Sequence, residues 1–87
     1  MKKLYCEKNG FKCYRNGDEL SYIVTYKDKD IYKAYFDTEI KIEMDPNIII
    51  ELGFSLEETS NFLSMTHFAK DNLEIDLELI KRRENKS

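Results

Sequence analysis

Three acidic residues near the end of the chain have a spacing that could support binding chemistry. Glu74, Asp76 and Glu78 alternate strictly with four aliphatic residues between positions 73 and 79. Because successive side chains of a β-strand point to opposite faces, the alternation predicts a strand with an apolar underside and an acidic ridge, its carboxylates about 7 Å apart. We expect this ridge to bind a basic protein surface, since opposite charges speed the encounter of two proteins.

Two other interpretations of these carboxylates stay open. With Glu43 or Glu51 on neighbouring strands they could bind a hard cation, because Ca²⁺ and Mg²⁺ prefer oxygen ligands. They could equally keep a solvated strand face soluble and discourage edge-to-edge aggregation. The pattern is more typical of a solvated or protein-binding face, so we predict neither a metal site nor a cofactor.

Tyrosine and lysine residues of the first segment offer an alternative binding surface. Tyr5, Lys12 and Tyr14 are expected to share one face of the first sheet, and Lys33 and Tyr35 could extend it. Aromatic rings flanked by lysines can stack single-stranded bases, at about 1–3 kcal/mol per base. The alternative function is therefore single-stranded nucleic-acid binding, although the same tyrosines could instead pack beneath a helix or the last strand.

The thiols and the single histidine do not form a catalytic set in the sequence. Cys6 and Cys13 are expected to be reduced and to face the core, since no secretory signal precedes them. Two cysteines and the distant His67 are too few for tetrahedral zinc, which needs four ligands. His67 has only Ser64 as a nearby nucleophile and lacks an orienting partner, so we predict that the protein is not an enzyme.

Length and charge restrict the class of protein and of partner. The 87 residues suffice for one domain, which we place at 1–80, followed by a polar tail at 81–87. A net charge of −3 argues against generic DNA binding, which depends on neutralising phosphates. The start of the chain has no apolar segment typical of a signal peptide, and no run of residues is apolar enough to span a membrane, so we expect a cytoplasmic protein.

The expected partner is a protein with a basic surface, for example one that normally binds nucleic acid. By analogy of size and charge, small inhibitors carried by viruses and mobile genetic elements act in this way. A homodimer formed through an edge strand is a second possibility, and it could hide the acidic ridge.

The elements that would position these residues begin with two tight turns. Asn9-Gly10 and Asn16-Gly17 are strong hairpin signals, because both residue types tolerate the positive φ of a two-residue turn. The second turn would pair Cys13 with Leu20 and Phe11 with Tyr22, which keeps apolar residues on one face. The first turn predicts four cross-strand pairs: Lys8 with Phe11, Glu7 with Lys12, Cys6 with Cys13, and Tyr5 with Tyr14.

The middle of the chain continues the sheet and then begins a helix. Apolar residues favour even positions from 20 to 44, which is the period of strands with one buried face, and 48–52 predicts a further short strand. Ser55 and Glu58 form a capping-box pattern that starts a helix ending near position 72. Leu, Glu and Lys also favour helix, so 73–83 could continue it, but the strict alternation favours a strand.

Together these patterns predict an α+β fold in one small domain. A mainly antiparallel meander of hairpins, with five or six strands, would carry one amphipathic helix on one face and a C-terminal strand. The predicted function is a non-catalytic protein-binding module, an inhibitor or regulator, with Glu74, Asp76 and Glu78 as the contact residues.

Overall fold

A computed structural model describes residues 2–84 and confirms the α+β architecture. One antiparallel sheet runs in the order β1-β2-β3-β4-β5, so every strand neighbours the next one in sequence. A long helix packs across one face of this sheet. The elements are β1 (Lys2–Lys8), β2 (Phe11–Asn16), β3 (Ser21–Tyr26), β4 (Lys29–Asp37), β5 (Glu39–Glu43), α1 (Pro46–Leu52) and α2 (Leu56–Glu84).

The first hairpin forms around the predicted turn. Asn9 and Gly10 both have positive φ, 53° and 86°, as a two-residue turn requires. Three of the four predicted pairs are present, including Cys6 opposite Cys13.

The predicted pairing of Tyr5 with Tyr14 is wrong, because β1 contains a bulge. The register shifts between Leu4 and Cys6, so Leu4 lies opposite Tyr14 and Tyr5 is the extra residue. An extra residue reverses which side chains face which side of the sheet. Tyr5 consequently contacts the helix, whereas Tyr14 lies on the opposite, open face.

The second predicted turn is wider than two residues. Asn16 pairs with Ser21, which leaves 17–20 as the loop, and the Asp18 backbone N–H donates to the Asn16 side chain at 3.0 Å. That side-chain contact stabilises a longer turn than the Asn-Gly signal alone predicts. Cys13 therefore pairs with Val24, four residues beyond its predicted partner. A shift by an even number keeps the apolar face intact.

The hydrophobic core lies between this apolar face and α2. The even-numbered apolar residues of β3 and β4 enter this core, but the central strand β3 is buried on both faces over 21–25, and a bulge between β3 and β4 adds Ile31 to the buried set. The helix contributes residues at the spacing of one helical face. The buried core residues are Phe11, Cys13, Tyr22, Val24, Ile31, Tyr32, Ala34, Phe62, Met65, Ala69 and Leu73.

The predicted strand at 48–52 is wrong, since this segment forms α1. The Asp45 side chain caps the helix by accepting from the Asn47 backbone N–H at 2.9 Å, and Pro46 occupies the first turn. Gly53 ends the helix with φ of 60°. These capping residues outweigh the β-propensity of the three isoleucines between them.

The predicted C-terminal strand is also wrong, because α2 continues to Glu84. Its predicted start is confirmed by reciprocal capping bonds between Ser55 and Glu58, both 3.1 Å long. The predicted end of the helix near position 72 is wrong, because neither Gly nor Pro occurs there to stop the helix. The Asn72 side chain donates to the Phe68 carbonyl within the helix and does not cap a helix end. Of the expected tail at 81–87, residues 81–84 belong to α2 and 85–87 lie outside the described residues.

Candidate functional site

The helical backbone divides the three predicted contact residues between two sides of α2. At 3.6 residues per turn, Glu74 and Glu78 lie on one side, and Asp76 points to nearly the opposite side. Glu74 and Glu78 are exposed, whereas the Asp76 side chain is only 18% exposed. A single ridge of three carboxylates is therefore absent from this helix.

Asp76 belongs to a polar cluster that attaches α2 to the sheet. The Tyr22 hydroxyl donates to Asp76 Oδ2 at 2.8 Å, and Arg15 Nε donates to the same oxygen at 3.2 Å. Burial, together with the hydrogen bond to Asp76, raises the pKa of Tyr22, and the hydrogen bonds to Tyr22 and Asp76 raise the pKa of Arg15. Tyr22 thus donates a hydrogen bond to the Arg15–Asp76 ion pair, which links α2 to β2 and β3.

The exposed side of the second half of α2 combines acidic and aliphatic residues. Asp71, Glu74 and Glu78 follow one another at helical spacing on this side. Ile75 and Leu79 lie beside them, one turn apart, and are 55% and 53% exposed. We call these five residues the acidic–aliphatic face.

Tyr5 extends the apolar part of this surface onto the edge of the sheet. Its ring lies 5.7 Å from the ring of Phe68, and its hydroxyl donates to the Asn72 side chain at 3.2 Å. Phe68 precedes Ile75 by about two helical turns and Asn72 precedes it by about one, on the same flank of α2. A residue expected on the nucleic-acid face thus lies next to the surface expected to bind protein.

The acidic–aliphatic face ends where α2 begins to reach past its contacts with the sheet. The helix has 29 residues, about 43 Å at 1.5 Å per residue, in a molecule of 50 × 23 × 22 Å. From Glu78 to Glu84 every residue is exposed. Arg82 lies 3.4 Å from Glu78, so the acidic residues are followed by a basic turn.

Sequence reasoning missed the exposed aliphatic pair because it assigned the wrong period. Read as a strand, Ile75 and Leu79 belong to the buried underside together with Leu73 and Leu77. The helical signal was the spacing of Ala69, Leu73 and Leu77, which places Ile75 and Leu79 on a separate stripe. That second stripe becomes apparent only when this segment is assigned as a helix.

The open face of the sheet keeps two of the three residues of the alternative site. Lys12 and Tyr14 lie on it, but the Lys2 ammonium already covers the Tyr14 ring at 5.3 Å. Lys12 lies 4.0 Å from the Glu7 carboxylate, and Lys33 forms an ion pair with Glu19. Acidic side chains therefore accompany the lysines that would contact phosphates.

The two cysteines lie opposite each other on β1 and β2, whereas His67 lies on α2. Both thiols are free, and burial, with a smaller contribution from Cys6, raises the pKa of Cys13 to about 12. His67 is exposed on α2. Among residues 2–84, no group of three or more His, Cys, Asp or Glu side chains could hold a metal ion.

Two further surface properties follow from the described part of the chain. A broad groove of about 600 Å³ lies beside β4 and β5 and is lined by residues that include Ile23, Lys33 and Glu43. No helix within residues 2–84 has both the length and the apolar composition needed to cross a membrane.

Comparison with known proteins provides no family for the chain. It matches no protein-family model, no curated protein and no solved structure. Its candidate function therefore rests on the contacts and exposure of its own residues.

Proposed function

We propose that the chain is a non-catalytic protein-binding module that docks the acidic–aliphatic face of α2 onto a basic partner. The observation that carries this proposal is the exposure of Ile75 and Leu79 side by side on a helix whose apolar core stripe is already buried. Contiguous exposed apolar residues are typical of interaction sites, since leaving them in water is unfavourable.

The chemistry of the face describes the partner. A helix that presents aliphatic side chains one turn apart fits an apolar groove. Asp71, Glu74 and Glu78 would face lysines and arginines at the rim of that groove, as on a protein that normally holds nucleic acid. In the cytoplasm such docking would occupy the partner's surface, which is the action of an inhibitor or regulator.

The test is affinity capture from a nuclease-treated lysate with matched variants. The double variant Ile75→Ala/Leu79→Ala removes the aliphatic pair, and Ile50→Ala/Leu56→Ala removes two residues that are even more exposed but lie elsewhere. We expect one protein to be captured by the parent chain and by the second variant, and lost with the first. Capture should also weaken with Glu74→Lys/Glu78→Lys and with rising salt, because exposed charges are screened.

Two results would contradict the proposal. Equal loss of capture in both aliphatic variants would indicate nonspecific hydrophobic binding. Unchanged capture by Ile75→Ala/Leu79→Ala would assign the partner to another surface.

Single-stranded nucleic-acid binding remains the alternative, supported by the common location of Lys12 and Tyr14 on the open face. Stacking on Tyr14 would have to displace the Lys2 ammonium from its ring. The same capture from a lysate without nuclease treatment tests this alternative. Recovery of nucleic acid with the parent chain, and its loss with Tyr14→Ala, would favour it.

A further inference from the structure

The two edges of the sheet differ in how well they are protected from pairing with another strand. Edge strands expose unpaired backbone N–H and C=O groups, and lysines and bulges discourage them from pairing. β1 has both devices, because it carries a bulge at Tyr5 and lysines at positions 2, 3 and 8. β5 pairs with β4 without any irregularity and contains one lysine, Lys41.

The unprotected edge also carries exposed apolar side chains. Ile42 lies opposite the fully buried Ala34, so it belongs to the face that packs on α2, yet about half of its surface is exposed. Met44, the first residue after β5, is exposed to the same extent. On the open face the same strand carries Lys41 between two glutamates.

We propose that β5 pairs antiparallel with β5 of a second copy of this chain, around a two-fold axis at Ile42. In this register Lys41 faces the partner's Glu43, and symmetry repeats the same ion pair on the other side of the axis. On the opposite face Ile42 faces its own counterpart, and Ile40 faces the partner's Met44. The two five-stranded sheets become one sheet of ten strands.

Charge excludes the registers shifted by one or two residues, and apolar contact excludes the one shifted by four. A shift by one residue would place the isoleucines on the face of the charged residues. A shift by two residues in one direction places Lys41 opposite the partner's Lys41, and in the other direction Glu43 opposite the partner's Glu43. Like charges directly opposite one another destabilise a pair of strands. A pair centred on Ile40 would also place Lys41 opposite a glutamate, but it would place Ile42 opposite the partner's Thr38.

This interface is separate from the acidic–aliphatic face. The acidic–aliphatic face adjoins Tyr5 on β1, and β1 and β5 form opposite edges of the sheet. A dimer through β5 therefore leaves both copies of that face accessible. A test of the dimer can consequently fail or succeed independently of a test of the docking of α2.

Sedimentation velocity on charge-swapped variants tests the proposal. The parent chain should sediment as a species of twice its 10.4 kDa mass. Lys41→Glu makes both central positions acidic and Glu43→Lys makes both basic, so each variant alone should be monomeric. A mixture of the two variants should restore the dimer, because an acidic strand then faces a basic one.

Controls separate loss of the interface from loss of the fold. Lys41→Glu removes an exposed contact with Asp37, and Glu43→Lys lies opposite Lys33, so circular dichroism should establish that both variants are folded. Lys3→Glu on β1 should leave the dimer intact. A monomeric parent chain at all accessible concentrations, or single variants that remain dimeric, would overturn the proposal, and so would a mixture that stays monomeric.

Discussion

At the scale of single residues, Asp76 illustrates how helical geometry changes the role of a side chain. Its carboxylate accepts from both Tyr22 and Arg15, which lie 54 and 61 residues earlier in the chain. Glu74, two residues before it, contributes to the exposed side of the same helix. Two acidic residues close in sequence therefore have different roles: Asp76 attaches α2 to the sheet, and Glu74 contributes negative charge to the surface.

We expect Asp76→Ala to lower the free energy of unfolding by about 1–3 kcal/mol, because it leaves the Tyr22 hydroxyl and the Arg15 guanidinium without their shared acceptor. Urea denaturation measures the change. Glu74→Ala is the matched control and should stay within about 0.5 kcal/mol of the parent chain. Equal effects of the two substitutions would mean that the cluster contributes nothing specific.

At the scale of elements, the sequence predicted the sheet better than the helices. Two features were sufficient for the meander: the Asn9-Gly10 turn and the even-numbered apolar residues from β3 to β5. The bulge at Tyr5 could not be recognised from the sequence, because one extra residue hardly changes the residue types that make up a strand. The wider second turn depended on the Asn16 side chain, whose contact was not apparent from its type alone.

The errors in the helices have a different cause. Alternating Leu and Glu satisfy both a strand and a helix, and packing of Leu73 and Leu77 against the sheet decides for the helix. In α1 the capping residues Asp45, Pro46 and Gly53 were visible in the sequence, but the high β-propensity of the three isoleucines between them favoured the prediction of a strand. The exposure of Glu74 and Glu78 agrees with the prediction of a solvent-facing acidic side, whereas the exposure of Ile75 and Leu79 follows only once the segment is known to be helical.

α1 offers a direct test of capping as the reason for its helical structure. No residue of α1 is fully buried, so its stability depends strongly on its ends. We expect Asp45→Ala to destabilise the helix by about 1 kcal/mol, since it removes the N-cap acceptor. Amide hydrogen exchange within 48–52 should become faster, and Asp45→Ser should restore most of the protection.

The same measurement provides the internal control for Asp45→Ala. Exchange of amides in β3, at the centre of the sheet, should stay unchanged, because α1 opens locally. A uniform acceleration in β3 and α1 would contradict this view and would indicate that α1 unfolds only with the whole domain.

At the scale of the whole molecule, different sides of the long helix contribute to the hydrophobic core and to the exposed surface. Its first half and Leu73 complete the core, while the side that carries Ile75 and Leu79 contributes little buried area. Residues that hold the domain together and residues proposed to bind a partner therefore lie on different stripes of one element.

This separation predicts that similar truncations on the two stripes differ strongly in their effect on the free energy of unfolding. Leu73→Ala should lower the free energy of unfolding by about 2–5 kcal/mol, because it opens a cavity in the core. Ile75→Ala/Leu79→Ala should change it by less than about 0.5 kcal/mol for each residue. Thermal unfolding of the variants checks both values, and a large loss in the double variant would place the aliphatic pair in the fold rather than on its surface.

The position of α2 after all five strands has a consequence for biosynthesis. The strands leave the ribosome first, and their apolar face has no cover until the segment from Phe62 to Leu73 has followed them. Local hairpins can form early, but the contacts of Asp76 with β2 and β3 close the domain only when most of the chain has been made. During translation the apolar face of the nascent sheet is therefore exposed to solvent. Avoiding aggregation at this stage depends on rapid synthesis of the helix or on protection by chaperones.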